Sequence, residues 1–267
     1  MGMRARYHAV VGAVRTTRPG GGRSIQDLSR VTRDELVDAL QDVASMHEDE
    51  ALALLDNPFA TPQILGKIAQ TARLTGFYSV RLKLVAHRQT PQAHAVKFVH
   101  YLYWFDLLRL SVDVQVPAPV RRAIDTQLIN RADKLSLGER VSSARTCSQA
   151  LIKIFLFDPN PKVFESLLVN KRLREDDILA LIASQRATKE QLLMIASDMK
   201  WSYRYPVRKA LVLNPHTPRA AAASQLRFLS RRDLRQIHAN PETSVYLKRC
   251  IERLSGSSLI THHSSLG

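Results

Sequence analysis

A stop signal and a start signal for helices recur together along most of this 267-residue chain. The junctions read "DNPFATPQIL" (56–65), "AHRQTPQAHAV" (86–96), "DVQVPAPVRRAI" (113–124), "FDPNPKVFESLL" (157–168), "ASQRATKEQLL" (183–193), "LNPHTPRAAA" (213–222) and "ANPETSVYL" (239–247). The first residue after the Thr-like position falls at 62, 91, 119, 161, 189, 218 and 244, at intervals of 29, 28, 42, 28, 29 and 26. Five intervals that agree within three residues mark a repeat array.

The residue types explain the signal. Asn214 precedes Pro215, and a residue before proline is pushed out of the α region, so a helix ends there. Thr217 is expected to accept a hydrogen bond from the next helix's free amides, with Pro218 at the first helical position, where no amide partner is lost. Asn57, Pro58, Thr61 and Pro62 repeat the pattern, as do Thr90 and Pro91, Pro159 and Pro161, Thr188, and Asn240 and Pro241. "SVRLKLVAHRQTP" and "PVRKALVLNPHTP" both place Val-Arg eleven residues before the proline, from Val80 to Pro91 and from Val207 to Pro218. So short a junction makes consecutive helices packed neighbours. The 42-residue interval is expected to hold an additional helix from "KLSLGERVSSARTCS".

Aromatic residues make up only 6% of the chain, so the core must come from Leu, Ile, Val and Ala, which favours helix packing over a β-sandwich. A helix this short cannot bury its apolar stripe alone and needs stacked neighbours. The fold class expected is all-α: an N-terminal capping helix, then about seven helical-hairpin repeats in a right-handed α-solenoid. Turns such as "NPHTP" preceded by "VRKALVL" resemble those of the bacterial leucine-rich repeat variant family, which belongs with the HEAT-like repeats. The resemblance covers about 52–254 and implies a helical-repeat architecture used for binding. Members of that family that hold an iron–sulfur cluster use a cysteine-rich segment, and this chain has no such segment.

Three parts are expected. Residues 1–30, with "TTRPGGGRS", read as a basic arm too poor in apolar residues to pack. Residues 31–255 read as the repeat domain, opening on a capping box of Thr32 and Glu35 ahead of Leu36, Leu40 and Val43. Residues 256–267 read as a polar tail. Charge is unevenly distributed within a net of +15: 34–60 holds eight acids and no Lys or Arg, while 200–267 holds twelve basic residues against three acids.

Catalytic and metal chemistry find little footing in the sequence. Cys147 and Cys250 cannot complete a four-ligand metal site and read as buried, reduced thiols. His87, His94 and His100 lack the i, i+4 spacing of a helical metal pair. "PGGGR" has no Lys-Ser/Thr and follows no strand, and "GERVSSARTCSQ" offers Ser, Cys and Glu139 without a nucleophile elbow. No metal, cofactor or catalytic residue is expected. No apolar run approaches a membrane span, "AVVGAV" is short for a signal peptide, and Arg6 stands where myristoylation wants Ser or Thr; a cytoplasmic protein is expected.

Two aromatic clusters stand out. Tyr101, Tyr103, Trp104 and Phe105 are expected to fill core space. Trp201, Tyr203 and Tyr205 are interleaved with Lys200, Arg204, Arg208 and Lys209, and with Arg219, Arg227, Arg231, Arg232 and Arg235 they form the candidate binding surface. The function expected is a non-enzymatic scaffold that binds a partner protein, with the basic face favouring an acidic segment. The alternative is nucleic-acid binding, with rings stacking on bases and cations on phosphates. In its remotest form this is a HEAT-like alkylpurine DNA glycosylase, whose ingredients Trp104, Asp106 and Trp201 resemble. Self-association through the acidic 34–60 segment is a third possibility, and the oligomeric state stays open.

Overall fold

The computed structural model describes residue 43 and residues 45–260, with side chains to 255. The expected basic arm, the capping box and residues 261–267 of the expected polar tail lie outside the described residues, while residues 256–260 of that tail continue the last helix. Among the described residues there are seventeen helices and no strand. The fold is all-α, as the sequence predicts. The described residues fall into two compact units, one ending at His94 and the other starting at Ala95.

In the first unit α1 (Glu48–Leu55) packs on α4 (Tyr78–Ala86), and α2 (Pro62–Gln70) packs on both α3 (Ala72–Thr75) and α4. Leu54, Leu65, Ile68, Leu74, Val80 and Leu84 are buried between them. Burying a side chain of this size stabilises the fold by about 2 kcal/mol. Polar side chains join α1 to the next repeat: the Ser79 hydroxyl donates to Glu48, and Lys83 pairs with Asp56. Helix α5 (Gln92–Val99) crosses the boundary between the units.

The second unit continues with α6 (Trp104–Ser111), α7 (Ala118–Ala132), α8 (Leu137–Ala144), α9 (Gln149–Phe155), α10 (Pro161–Leu168), α11 (Glu175–Ala183), α12 (Lys189–Ser197), α13 (Met199–Ser202), α14 (Tyr205–Leu213), α15 (Arg219–Leu226), α16 (Arg231–Ala239) and α17 (Val245–Ile260). The 42-residue interval holds three helices, α7 to α9, where the others hold two principal ones. The extra helix is α8, from the segment the sequence points to. Ser136 caps it, and the Glu139 carboxylate returns to the Ser136 amide at 2.9 Å.

From α9 onward the helices alternate in pairs. Helix α10 packs on α12, α12 on α15, and α15 on α17; α11 packs on α14. Polar side chains tie each repeat to the next at a separation close to one repeat. Gln149 Nε2 donates to Asp177, 28 residues on. Arg204 pairs with Glu175, 29 residues back. Tyr205 donates to Asp233, 28 residues on. The last repeats close over Val212, Ala222, Leu226, Leu229, Ile237, Leu247 and Ile251.

The turns work by a different device from the one the sequence suggests. Asn214 ends α14 in an extended conformation, as expected before Pro215. Its Oδ1 then accepts the His216 amide at 2.7 Å, and its Nδ2 reaches back to the Ile182 carbonyl. Asn57, Asp158, Ser184 and Asn240 each accept the amide two residues on in the same way. Such side-chain turns mimic a backbone turn.

The threonines behave less uniformly. Thr188 is a true cap, accepting the Gln191 amide at 3.2 Å. Thr217 and Thr90 are buried with hydroxyls that find no partner among the described residues. Thr61 stands at an N-cap without a side-chain bond. The expected Thr217 cap is therefore corrected. The side chain turns inward to fill core space, Pro218 takes the N-cap position, and α15 starts at Arg219. Pro62 and Pro161 do occupy the first helical turn, Pro161 behind an Asn160 cap. Pro91 lies just ahead of α5.

A basic and aromatic edge

Alternating pairs of helices sort the connections of α9–α17 to two edges. Turns within a pair, 156–160, 184–188, 214–218 and 240–244, lie along one edge. There Gln191 Nε2 donates to the Leu156 carbonyl at 3.1 Å, and Asn214 to that of Ile182. Loops between pairs, 145–148, 169–174, 198–204 and 227–230, lie along the other. Asn170 Nδ2 donates to the carbonyls of Ala144 at 2.8 Å and Cys147 at 3.3 Å. Arg204 meets Glu175 at 2.6 Å, and Tyr205 accepts the Ser230 amide at 3.0 Å. Trp104 Nε1, donating to Ser143 Oγ at 2.8 Å, brings the 100–105 segment alongside.

The two edges differ in charge. The inter-pair loops carry Arg145, Lys171, Arg172, Arg174, Lys200, Arg204 and Arg227 against one acid, Asp198. That carboxylate is occupied by the Lys200 and Trp201 amides. Arg231 and Arg232 open α16 beside the last loop, and both are exposed. The intra-pair turns carry Asp158, Arg186, Glu242 and His216. Here Asp158 is paired with Arg140 at 2.6 Å, and Arg186 lies 4.4 Å over the Phe157 ring.

Apolar exposure follows the charge. Met199 is 88% exposed, Tyr203 80%, Tyr103 68% and Phe228 41%, and Tyr101, Phe105 and Val169 are also exposed on the basic edge. None of the exposed rings lies in the four intra-pair turns. Arginines stack among these aromatics. Arg208 lies 5.4 Å from the Tyr203 ring and 3.9 Å from Phe228, and Arg227 covers Phe228 at 4.7 Å. A stacked guanidinium keeps its N–H edge available to an anion.

This arrangement corrects several expectations. Trp201 is 1% exposed and belongs to the core, with Lys200 at 4.3 Å and Arg204 at 5.2 Å over its ring; it is not a surface ring. The ingredients of a glycosylase site therefore do not share an open surface. Tyr101, Tyr103 and Phe105, expected in the core, are exposed, and of that cluster only Trp104 is half-buried.

The remaining candidate residues divide by partner. Lys209 pairs with Asp233 at 2.9 Å, and Tyr205 bonds the same carboxylate. These bonds, with one from Ser230, hold the Asp233 carboxyl at about 2. Arg208 donates to the Ser202 carbonyl. Arg235 reaches the Arg231 carbonyl at 3.3 Å. Arg219 is exposed at the start of α15, at the edge of the intra-pair turns. Arg227, Arg231 and Arg232 have no acidic partner among the described residues. The sequence reading missed Arg145, Lys171, Arg172, Arg174, Met199 and Phe228.

Comparison with family models, curated proteins and solved structures finds no match.

Groups with catalytic potential are disposed structurally. Burial pushes the Cys147 thiol up to about 12, where thiolate is scarce at neutral pH. Cys250 is half-buried rather than buried as expected. Hydrogen bonds from Ser136 lower the Glu139 carboxyl, which completes a helix cap. Burial lowers His87, whose Nδ1 accepts the Gln89 amide at 3.1 Å. Burial raises Asp125, which accepts from Ser148 Oγ at 2.7 Å. No group of three metal-ligating side chains is found among the described residues, nor a helix long and apolar enough to cross a membrane.

Proposed function

We propose that this chain is a non-enzymatic binding scaffold, a right-handed α-solenoid of about seven helical-hairpin repeats resembling the leucine-rich repeat variant proteins. In this reading it binds an acidic segment of a partner protein along its basic edge. One observation carries the reading: the loops between pairs of α9–α17 hold seven basic residues and the exposed Met199, Tyr203 and Phe228, whereas the turns within pairs hold one arginine, Arg186, and no exposed Tyr, Phe or Trp ring. Protein interfaces are enriched in Tyr, Phe, Met and Arg. A row of unneutralised cations steers an acidic partner and fixes its register.

The Tyr203–Arg208–Phe228–Arg227 stack favours a second reading, single-stranded nucleic acid, because rings and guanidiniums together can hold bases and phosphates. Titration by fluorescence anisotropy with an Asp/Glu-rich peptide and with a single-stranded oligonucleotide separates the two. Reversing Lys171, Arg172, Arg231 and Arg232 to Glu together is expected to weaken peptide binding by about 100-fold or more. Stability should change by no more than about 0.5 kcal/mol per site. Binding of the oligonucleotide alone, lost steeply with added salt, would transfer the edge to the second reading. If neither ligand binds at low salt, both readings fail.

A further inference from the structure

Between α15 and α17 runs an open groove of about 400 Å³, lined by Ala223, Ser224, Arg227, Cys250, Arg253 and Leu254. That volume is within the range of sites that take up ligand side chains. Its floor is the outer skin of a core: Ala223 and Cys250 are half-buried against Val212, Leu226, Leu247 and Ile251. Its rim carries two guanidiniums, and no carboxylate is among the lining residues. Glu252, the acid beside Arg253 in α17, shares a hydrogen bond with His238 at 2.9 Å. Arg227 stacks on Phe228 with one face, so it ends the aromatic–arginine ladder and also opens the groove.

From this placement we infer that the groove is the anchor site for the acidic partner segment, an inference that rests on the reading of the basic edge. An apolar side chain of Leu or Phe size occupies the floor of Ala223, Cys250 and Leu254. Asp or Glu residues flanking it bind Arg227 and Arg253. Charge complementarity selects this occupant. Two uncompensated arginines beside an apolar floor would repel a basic amphipathic segment, and a purely acidic one would leave the floor wet.

Cys250 provides the test, because the chain's other thiol, Cys147, is buried with its pKa raised to about 12. The probe is a short synthetic peptide of repeated Asp-Glu-Leu, added to the full-length protein during maleimide labelling. Controls are the same peptide with Ser for Leu, and a single-stranded oligonucleotide. The expected result is that the Leu peptide slows Cys250 labelling at least about tenfold, while the Ser peptide does so weakly. R253E should abolish that protection without changing the circular dichroism of the protein. Equal binding of the Leu and Ser peptides with Cys250 still reactive would overturn the anchor site and leave the basic edge standing. Absence of binding by both peptides would remove the edge reading itself, and protection by the oligonucleotide alone would reject an acidic protein as the occupant.

Discussion

The two edges of α9–α17 are built from the same helices and spaced by the same period, yet they spend their polar residues differently. Along the turns within a pair, Asn and Asp side chains are consumed locally, by an amide two residues on and, at Asn214, by a carbonyl of the preceding repeat. Charge there is sparse, and Asp158 and Arg186 are both engaged. Along the loops between pairs, the structural work falls to a few buried or paired groups, among them Asn170 and Asp198. The remaining side chains point to solvent with cations and rings unneutralised. Both edges tie one repeat to the next, and the edge between pairs also presents a surface. A polar residue that is satisfied by its neighbours stabilises; one left unsatisfied in water is available for recognition.

The largest test of this contrast lies beneath the basic edge. Trp201 is core, so Trp201→Ala should cost about 3–5 kcal/mol in urea unfolding. If the indole were instead a surface binding ring, the substitution would leave stability intact. A smaller pair of effects should distinguish the threonines of the turns. Thr188→Val removes a cap and should destabilise by about 1 kcal/mol. Thr217→Val removes a buried hydroxyl with no partner and should be neutral or stabilising by up to about 1 kcal/mol. Equal losses at both positions would restore the uniform capping role that the sequence suggests.

The smallest effect is acid-dependent. Asp233, bonded by Tyr205, Lys209 and Ser230, titrates at about 2 in the folded chain against 3.8 without those partners. Because the folded value is the lower one, its contribution is complete above about pH 4 and is lost as pH falls through about 2. Asp233→Asn should therefore be less stable than the parent at neutral pH, and the difference should close between pH 4 and 2. A difference that stays constant over that range would separate Asp233 from its ion pair.

Helix boundaries and the repeat were legible in the sequence because proline and Asx residues act on the backbone locally, wherever the chain later packs. The extra helix α8 was legible from the length of the 42-residue interval, and the structure shows its Ser136–Glu139 cap. The role of Trp201 was misread because its neighbours are charged, although the sequence held a correction. The register that pairs Val80 with Val207 also pairs Leu74 with Trp201, and both are buried. Tyr101, Tyr103 and Phe105 were misread in the other direction, since a run of rings looks like core until the helix start at Trp104 turns its neighbours outward. Lys171, Arg172 and Arg174 were overlooked because Glu175, Asp176 and Asp177 follow immediately and cancel them in any window of net charge. Only the fold divides that run between a loop and a helix. Resolving it requires comparing loop with loop rather than averaging along the chain.

The bonds that span one repeat have a mechanical consequence. Gln149 to Asp177, Arg204 to Glu175 and Tyr205 to Asp233 fasten each unit to its immediate neighbour. Tension applied along such a chain loads these fastenings in series, so α9–α17 should yield in steps from the end, like a ladder losing rungs, while what remains keeps its grip.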